Sequence, residues 1–70
     1  MLKANHNLKI HRIKAGLTQF ELAKRLGVKE RVITFWETGR SEPHIEQAVD
    51  IARALDVEPK DIFPNYFANS

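Results

Sequence analysis

The sequence predicts an all-α domain of five helices with no strand. Three observations point there. Apolar residues recur at intervals of three and four rather than in alternation. Gly16, Gly27 and Gly39 mark stops in the first half, and Pro43, Pro59 and Pro64 divide the second. Seventy residues bury only about 60% of the surface an unfolded chain exposes, enough for one small core and too little for a Rossmann unit or a TIM barrel. The expectation is a single domain over residues 1–70, with its core at about 7–63 and a tail at 64–70.

The first helix is expected from Asn7 to Ala15. Leu8, His11, Arg12 and Ala15 share one face, and Gly16 supplies the stop. Ile10 falls on the opposite face. The second runs from Gln19 to Leu26. Thr18 precedes it and Glu21 follows three residues on, the pattern of a capping box. Leu22, Ala23 and Leu26 form its inner face, and Gly27 ends it. The third covers Glu30 to Thr38, with Val32, Ile33 and Trp36 apolar and Gly39 at its end. The fourth covers Ile45 to Leu55, with Ile45, Ala48, Val49, Ala52 and Leu55 as its inner stripe. A short fifth starts at Pro59, a residue suited to a first helical position, and is anchored by Ile62 and Phe63. Pro64 is expected to stop it. Ile51, Tyr66 and Phe67 are left without a place in the core.

Composition removes several function classes. With 43% hydrophobic and 29% charged residues, the chain is too apolar for disorder. Zero cysteines exclude disulfides and thiolate metal sites. No apolar run reaches the ~20 residues a membrane span needs, and residues 1–7 lack the apolar stretch of a secretory signal, so a cytoplasmic protein with no membrane association is expected. His6 and His11 stand five apart, off the i, i+4 spacing of helical zinc ligands, and His44 is remote from both in sequence, so no metal and no cofactor are expected. Two serines and no thiol leave no convincing nucleophile–base pair, so no enzyme is expected.

Charge is segregated. Residues 1–40 hold nine Lys and Arg against three Glu, net +6, and residues 41–70 hold two against six Asp and Glu, net −4. One reading is a basic half meeting a polyanion, with the acidic half turned away. The other is a chance division of solvated surface charge.

The second and third helices are separated only by Gly27, Val28 and Lys29, the short glycine-containing turn of a helix-turn-helix. Counting Gln19 as position one of a twenty-residue unit, the fifth position is Ala23, where the helices cross and a small side chain is required. The ninth is Gly27, where the backbone needs a positive φ. Positions four, eight, ten, fifteen and eighteen (Leu22, Leu26, Val28, Ile33 and Trp36) are apolar and lock the crossing angle.

In Leu17-Thr18-Gln19-Phe20-Glu21-Leu22-Ala23, Arg25-Leu26-Gly27-Val28 and Ile33-Thr34-Phe35-Trp36-Glu37-Thr38-Gly39-Arg40, the sequence resembles the phage-repressor (Cro/CI-like, XRE) helix-turn-helix family. Pro43, the stretch Ile51 to Val57 and Asp61-Ile62-Phe63 continue the match, which spans roughly residues 8 to 63. The resemblance implies a five-helix, lambda-repressor-like DNA-binding domain whose third helix enters the major groove. It also implies roles. Lys29, Glu30, Arg31, Thr34 and Phe35 would face the bases, while Thr18, Gln19, Gly39 and Arg40 would meet phosphates. Arg12 and Glu37 would form an ion pair tying the first helix to the third, and loss of Glu37 would then cost ~2–3 kcal/mol. Glu30 and Phe35 depart from the family pattern. Glu30 can accept from cytosine N4. Phe35 either touches a thymine methyl or packs on Phe20 or Val32. Arg31 either reads guanine or serves Glu30 as a partner.

The implied function is a sequence-specific double-stranded DNA-binding transcriptional regulator, a repressor acting by occupancy of a palindromic operator as a weak homodimer. Ile51, Tyr66 and Phe67 would form the contact surface, through the fourth and fifth helices or the tail; in the other reading the tail folds back over the first helix, covers Ile10 and leaves a monomer. Two alternatives accompany it: an autorepressing antitoxin with a toxin partner, and a protein-interaction module that has lost DNA binding.

Overall fold

The computed structural model describes residues 4–67, Phe67 by its backbone only. Six helical segments follow one another: α1 (His6–Lys14), α2 (Gln19–Leu26), α3 (Glu30–Thr38), α4 (Ile45–Leu55), α5 (Pro59–Ile62) and α6 (Pro64–Phe67). Among the described residues there is no strand. The expected count was five. α5 stops before Pro64 as expected, with Phe63 non-helical between them, but Pro64 then begins a further turn, because proline's fixed φ and missing N–H suit a first helical position as well as they oppose an interior one. Residues 68–70 and the Phe67 side chain, assigned to the tail from sequence, lie outside the described residues.

Each cap follows from its residue types. Asn5 precedes α1, and its Oδ1 accepts from the Leu8 N–H at 2.9 Å. The same side chain reaches across the fold: Nδ2 donates to the Ile62 carbonyl at 3.2 Å, while the Asn5 main-chain N–H donates to the Glu37 carbonyl at 3.1 Å. One residue thus ties the start of α1 to the ends of α3 and α5. The Thr18–Glu21 box on α2 is complete, with reciprocal bonds of 3.0 and 2.9 Å. The Thr18 main-chain N–H, then its hydroxyl, holds the Glu21 carboxyl below its ordinary pKa. Any support from that bond is therefore present at neutral pH and is lost as pH falls through the lowered value. α4 has a similar box built from His44 and Gln47.

Gly27 closes α2 at φ +72°, which L side chains avoid. The Val28 N–H then reaches back to the Ala23 carbonyl at 3.0 Å, and the chain turns directly into α3.

The core is built from Leu8 of α1, Leu17, Leu22 and Ala23 around α2, Ile33 and Trp36 of α3, Ala48, Ile51 and Leu55 of α4, and Ile62 and Phe63. Leu8, Leu22, Ile33, Ile51 and Ile62 are essentially inaccessible, each worth ~1.5–3 kcal/mol of burial.

Two expected core positions are corrected. Ala15 is exposed, because α1 ends at Lys14 and Ala15 is already its cap. Ile45 is 55% exposed, and Ile51, left over by the sequence reading, takes its place inside. Ile45 is the first residue of α4, and side chains of a helix lean toward its N-terminus, so Ile45 projects past the body of the domain.

Tyr66 is not surplus either. Its ring stacks on Phe63 at 5.4 Å, and its hydroxyl donates to the Pro43 carbonyl and, at 3.5 Å, to Glu42. Burial, with the Glu42 carboxylate beside it, raises the phenol's pKa. The apolar contact surface expected from Ile51 and Tyr66 is thus spent inside the domain. Among the described residues, the large apolar side chains left exposed are Ile10, Ile13, Phe20 and Ile45.

Candidate nucleic-acid interface

One face of α3 is locked to the domain. Ile33 and Trp36 lie in the core, and between them and the outer face stands Glu37, only 6% exposed. Glu37 accepts from Arg12 twice, at 2.6 Å from Nε and 3.3 Å from Nη2, a two-pronged pair. Arg12 is itself 8% exposed, and its Nη1 donates to the Leu17 carbonyl at 2.9 Å. Gln19 completes the network. Its Nε2 donates to Glu37 Oε1 at 3.0 Å, and its Oε1 accepts from the Thr34 hydroxyl at 2.8 Å. Among the described residues, no buried side-chain nitrogen or oxygen lacks a partner. The angle between α2 and α3 is therefore set by apolar packing and by a closed polar network reaching from α1 through both helices.

The other face of α3 looks outward. Lys29, Glu30 and Arg31 are exposed, and Thr34 and Phe35 are half-buried. Lys29 caps α3 without a side-chain bond to the helix, so its ammonium is not drawn inward. The candidate base-facing residues are thus gathered on one helix, but with unequal reach: Thr34 is engaged to Gln19 through its hydroxyl. Gln19 was assigned to phosphate from the resemblance. Its side chain is turned inward to Thr34 and Glu37, which leaves the N-terminal N–H groups of α2 as that helix's contribution to the surface.

Past α3, Gly39 is buried at φ +83° and Arg40 is exposed. The Arg40 guanidinium lies 5.1 Å above the centre of the Phe35 ring. Of the two packing partners expected for Phe35, Phe20 stands 57% exposed, and the contact at the ring's face is the Arg40 cation.

The charges of both halves stay at the surface. Arg12 and Glu37 cancel one another inside, while Lys9, Lys14, Lys24, Arg25, Lys29, Arg31 and Arg40 are all exposed. All six acids of the second half are exposed as well. Among the described residues, no group of three His, Asp or Glu is placed to hold a metal, and no helix is long and apolar enough to cross a membrane.

Sequence reasoning missed Asn5, although an Asn immediately before a helical run is a capping signal. It also missed the Gln19–Thr34–Glu37 linkage, for which spacing along one helix offers no clue.

The comparisons agree with this geometry. A helix-turn-helix family model, HTH_3, matches residues 8–62. An uncharacterized HTH-type transcriptional regulator of Archaeoglobus fulgidus is 43% identical over 56 residues, covering 80% of this chain and 79% of that one. Another, of Methanothermobacter thermautotrophicus, is 50% identical over 54 residues, covering 76% and 78%. The crystal structure of the clp gene regulator ClgR from Corynebacterium glutamicum superposes with a TM-score of 0.79 at 25% identity, covering 93% of this chain and 69% of that one. With its two helices set across the Gly27 turn and a match that runs from the first helix to the fifth, the chain belongs to the XRE-type helix-turn-helix family, whose members include HTH-type transcriptional regulators.

Proposed function

We propose that the chain is a sequence-specific double-stranded DNA-binding repressor that acts by occupying its operator. The observation that carries this reading is α3 itself. Its inner face is fixed by Ile33, Trp36 and the Arg12–Glu37 pair, and its outer face presents Lys29, Glu30 and Arg31 to solvent, within the basic half of the sequence. A rigid helix with exposed charged groups at its N-terminal end fits the major groove. In this reading Lys29, Glu30, Arg31 and the Thr34 methyl address base edges. Arg40, with the main chain at Thr18, Gln19 and Gly39, addresses phosphates.

One such helix reads only a few base pairs, too few to single out a site in a genome. Two copies on a palindrome double the reading, with recognition helices one DNA turn, ~34 Å, apart. Selection of bound duplexes from a random pool tests this directly. The expected product is an inverted repeat with half-sites about 10 base pairs apart. A pool that stays random after repeated rounds, at a salt concentration where the protein is folded, would refute it.

Two substitutions separate the roles. Arg31→Ala should cost about 1–3 kcal/mol against the selected site and relax discrimination at one guanine. An equal loss on selected and unrelated DNA would move Arg31 to the phosphates. Arg40→Ala should weaken binding similarly on all sequences and lower the slope of log affinity against log salt by roughly 1. An unchanged slope with a shifted base preference would show the assignment to be wrong.

A further inference from the structure

Phe35 is unusual on the outward face of α3: a large apolar ring beside Arg31 and Thr34, half-buried rather than sunk in the core. Two features link it to Arg40. Its carbonyl gathers the turn that follows the helix, accepting from the Arg40 N–H at 2.9 Å and the Ser41 N–H at 3.3 Å. Its ring then lies beneath the guanidinium, 5.1 Å from ring centre to Cζ. Among the described residues, no carboxylate pairs with Arg40.

A guanidinium is a flat cation whose N–H groups all point outward in its own plane. Stacking uses the face and leaves the edges, so one arginine can rest on a ring and grip a phosphate in two-pronged fashion at once. An arginine on the surface otherwise loses side-chain freedom when it binds. An arginine already held on a ring has lost part of that beforehand.

We propose that Phe35 is a positioning residue that holds the Arg40 guanidinium ready for a DNA phosphate, and that it does not itself read a base. This rests on the DNA-binding reading above. It gives the departure from the family pattern at position 35 a role in affinity, shared by all sequences, in place of a role in specificity.

The test is a set of variants measured on the selected operator and on an unrelated duplex. Phe35→Leu keeps apolar bulk and removes the ring face. It is expected to weaken binding to both duplexes by about two- to fivefold, the range a surface cation–π contact supplies. Phe35→Tyr is expected to bind as the wild type does. In an Arg40→Ala background, Phe35→Leu is expected to change nothing further. Without DNA, the Arg40 Nε–H resonance is expected upfield through ring current in the wild type and Phe35→Tyr, and shifted downfield in Phe35→Leu. Thermal melts confirm that each variant is folded, and Phe35→Met replaces Phe35→Leu in the same comparison should the latter unfold. A loss confined to one operator base pair, the same loss persisting in the Arg40→Ala background, or failure of Tyr to rescue would overturn the proposal while leaving DNA binding intact. A wild-type chain that binds neither duplex would overturn the DNA-binding reading and this inference together.

Discussion

Replacing Glu37 by Ala is expected to destabilise the domain by roughly 3–5 kcal/mol. The decisive quantity is dryness. An exposed ion pair is worth ~0–1 kcal/mol, because water solvates its ions almost as well as they solvate each other. The side chains of Arg12 and Glu37 are 10% and 3% exposed, and the Nε–Oε2 distance is 2.6 Å. Removing the carboxylate would leave the Arg12 charge with only the Leu17 carbonyl, and would strip Gln19 Nε2 of its acceptor. That dryness moves the expected cost above the ~2–3 kcal/mol that suits a pair at a partly wet helix end.

A domain of this length has ~4–10 kcal/mol of total stability, so the variant should sit near the edge of folding. In a thermal melt the loss corresponds to a fall in Tm of at least about 12 °C. The double variant Arg12→Met, Glu37→Leu separates a stranded charge from lost packing. With no ion left unpaired it should recover much of the loss, since apolar replacements of buried pairs are often neutral. A single-variant cost under ~1 kcal/mol would mean that the pair is solvated in solution.

Much of this fold is legible because each position of the turn motif has one geometric demand. Ala23 must be small, Gly27 must reach positive φ, and Ile33 and Trp36 must face α2. Those demands concern residue type, and residue type is what a sequence records. α1 is less legible, since its pattern is inverted: Ile10 and Ile13 are exposed while Arg12 is buried. Arg12 can lie inside only because Glu37, 25 residues away, satisfies it. The candidate site divides in the same manner. The charges of Lys29, Arg31 and Arg40 are evident from sequence. The inward turn of Gln19 to Thr34 and Glu37 is not, because it depends on how three elements meet. The seat of Arg40 on Phe35 depends on the Gly39 turn, which folds residue 40 back over residue 35.

α4 shows a third kind of ambiguity, and a pair of substitutions resolves it. Its eleven residues offer two competing apolar stripes. One joins Ile45 to Ala48, Val49 and Ala52. The other joins Ala48 to Ile51, Ala52 and Leu55. At ~100° per residue, Ile51 lies about 60° to one side of Ala48 and Val49 about 100° to the other, so periodicity alone leaves the buried sector free to rotate. The structure selects the second stripe, with Ile51 inaccessible and Ile45 55% exposed. Ile51→Ala should therefore cost about 2–5 kcal/mol, the loss of buried methyl groups plus the cavity left among α2, α4 and α5. Ile45→Ala should change stability by no more than about 0.5 kcal/mol. Urea unfolding at two protein concentrations a hundredfold apart adds a control. If Ile51 instead served a contact between two copies, the loss would depend on concentration through mass action. A concentration-independent loss confined to Ile51→Ala places it in the core of the monomer. Equal losses at both positions, or the larger one at Ile45, would mean that α4 is rotated relative to the packing described above.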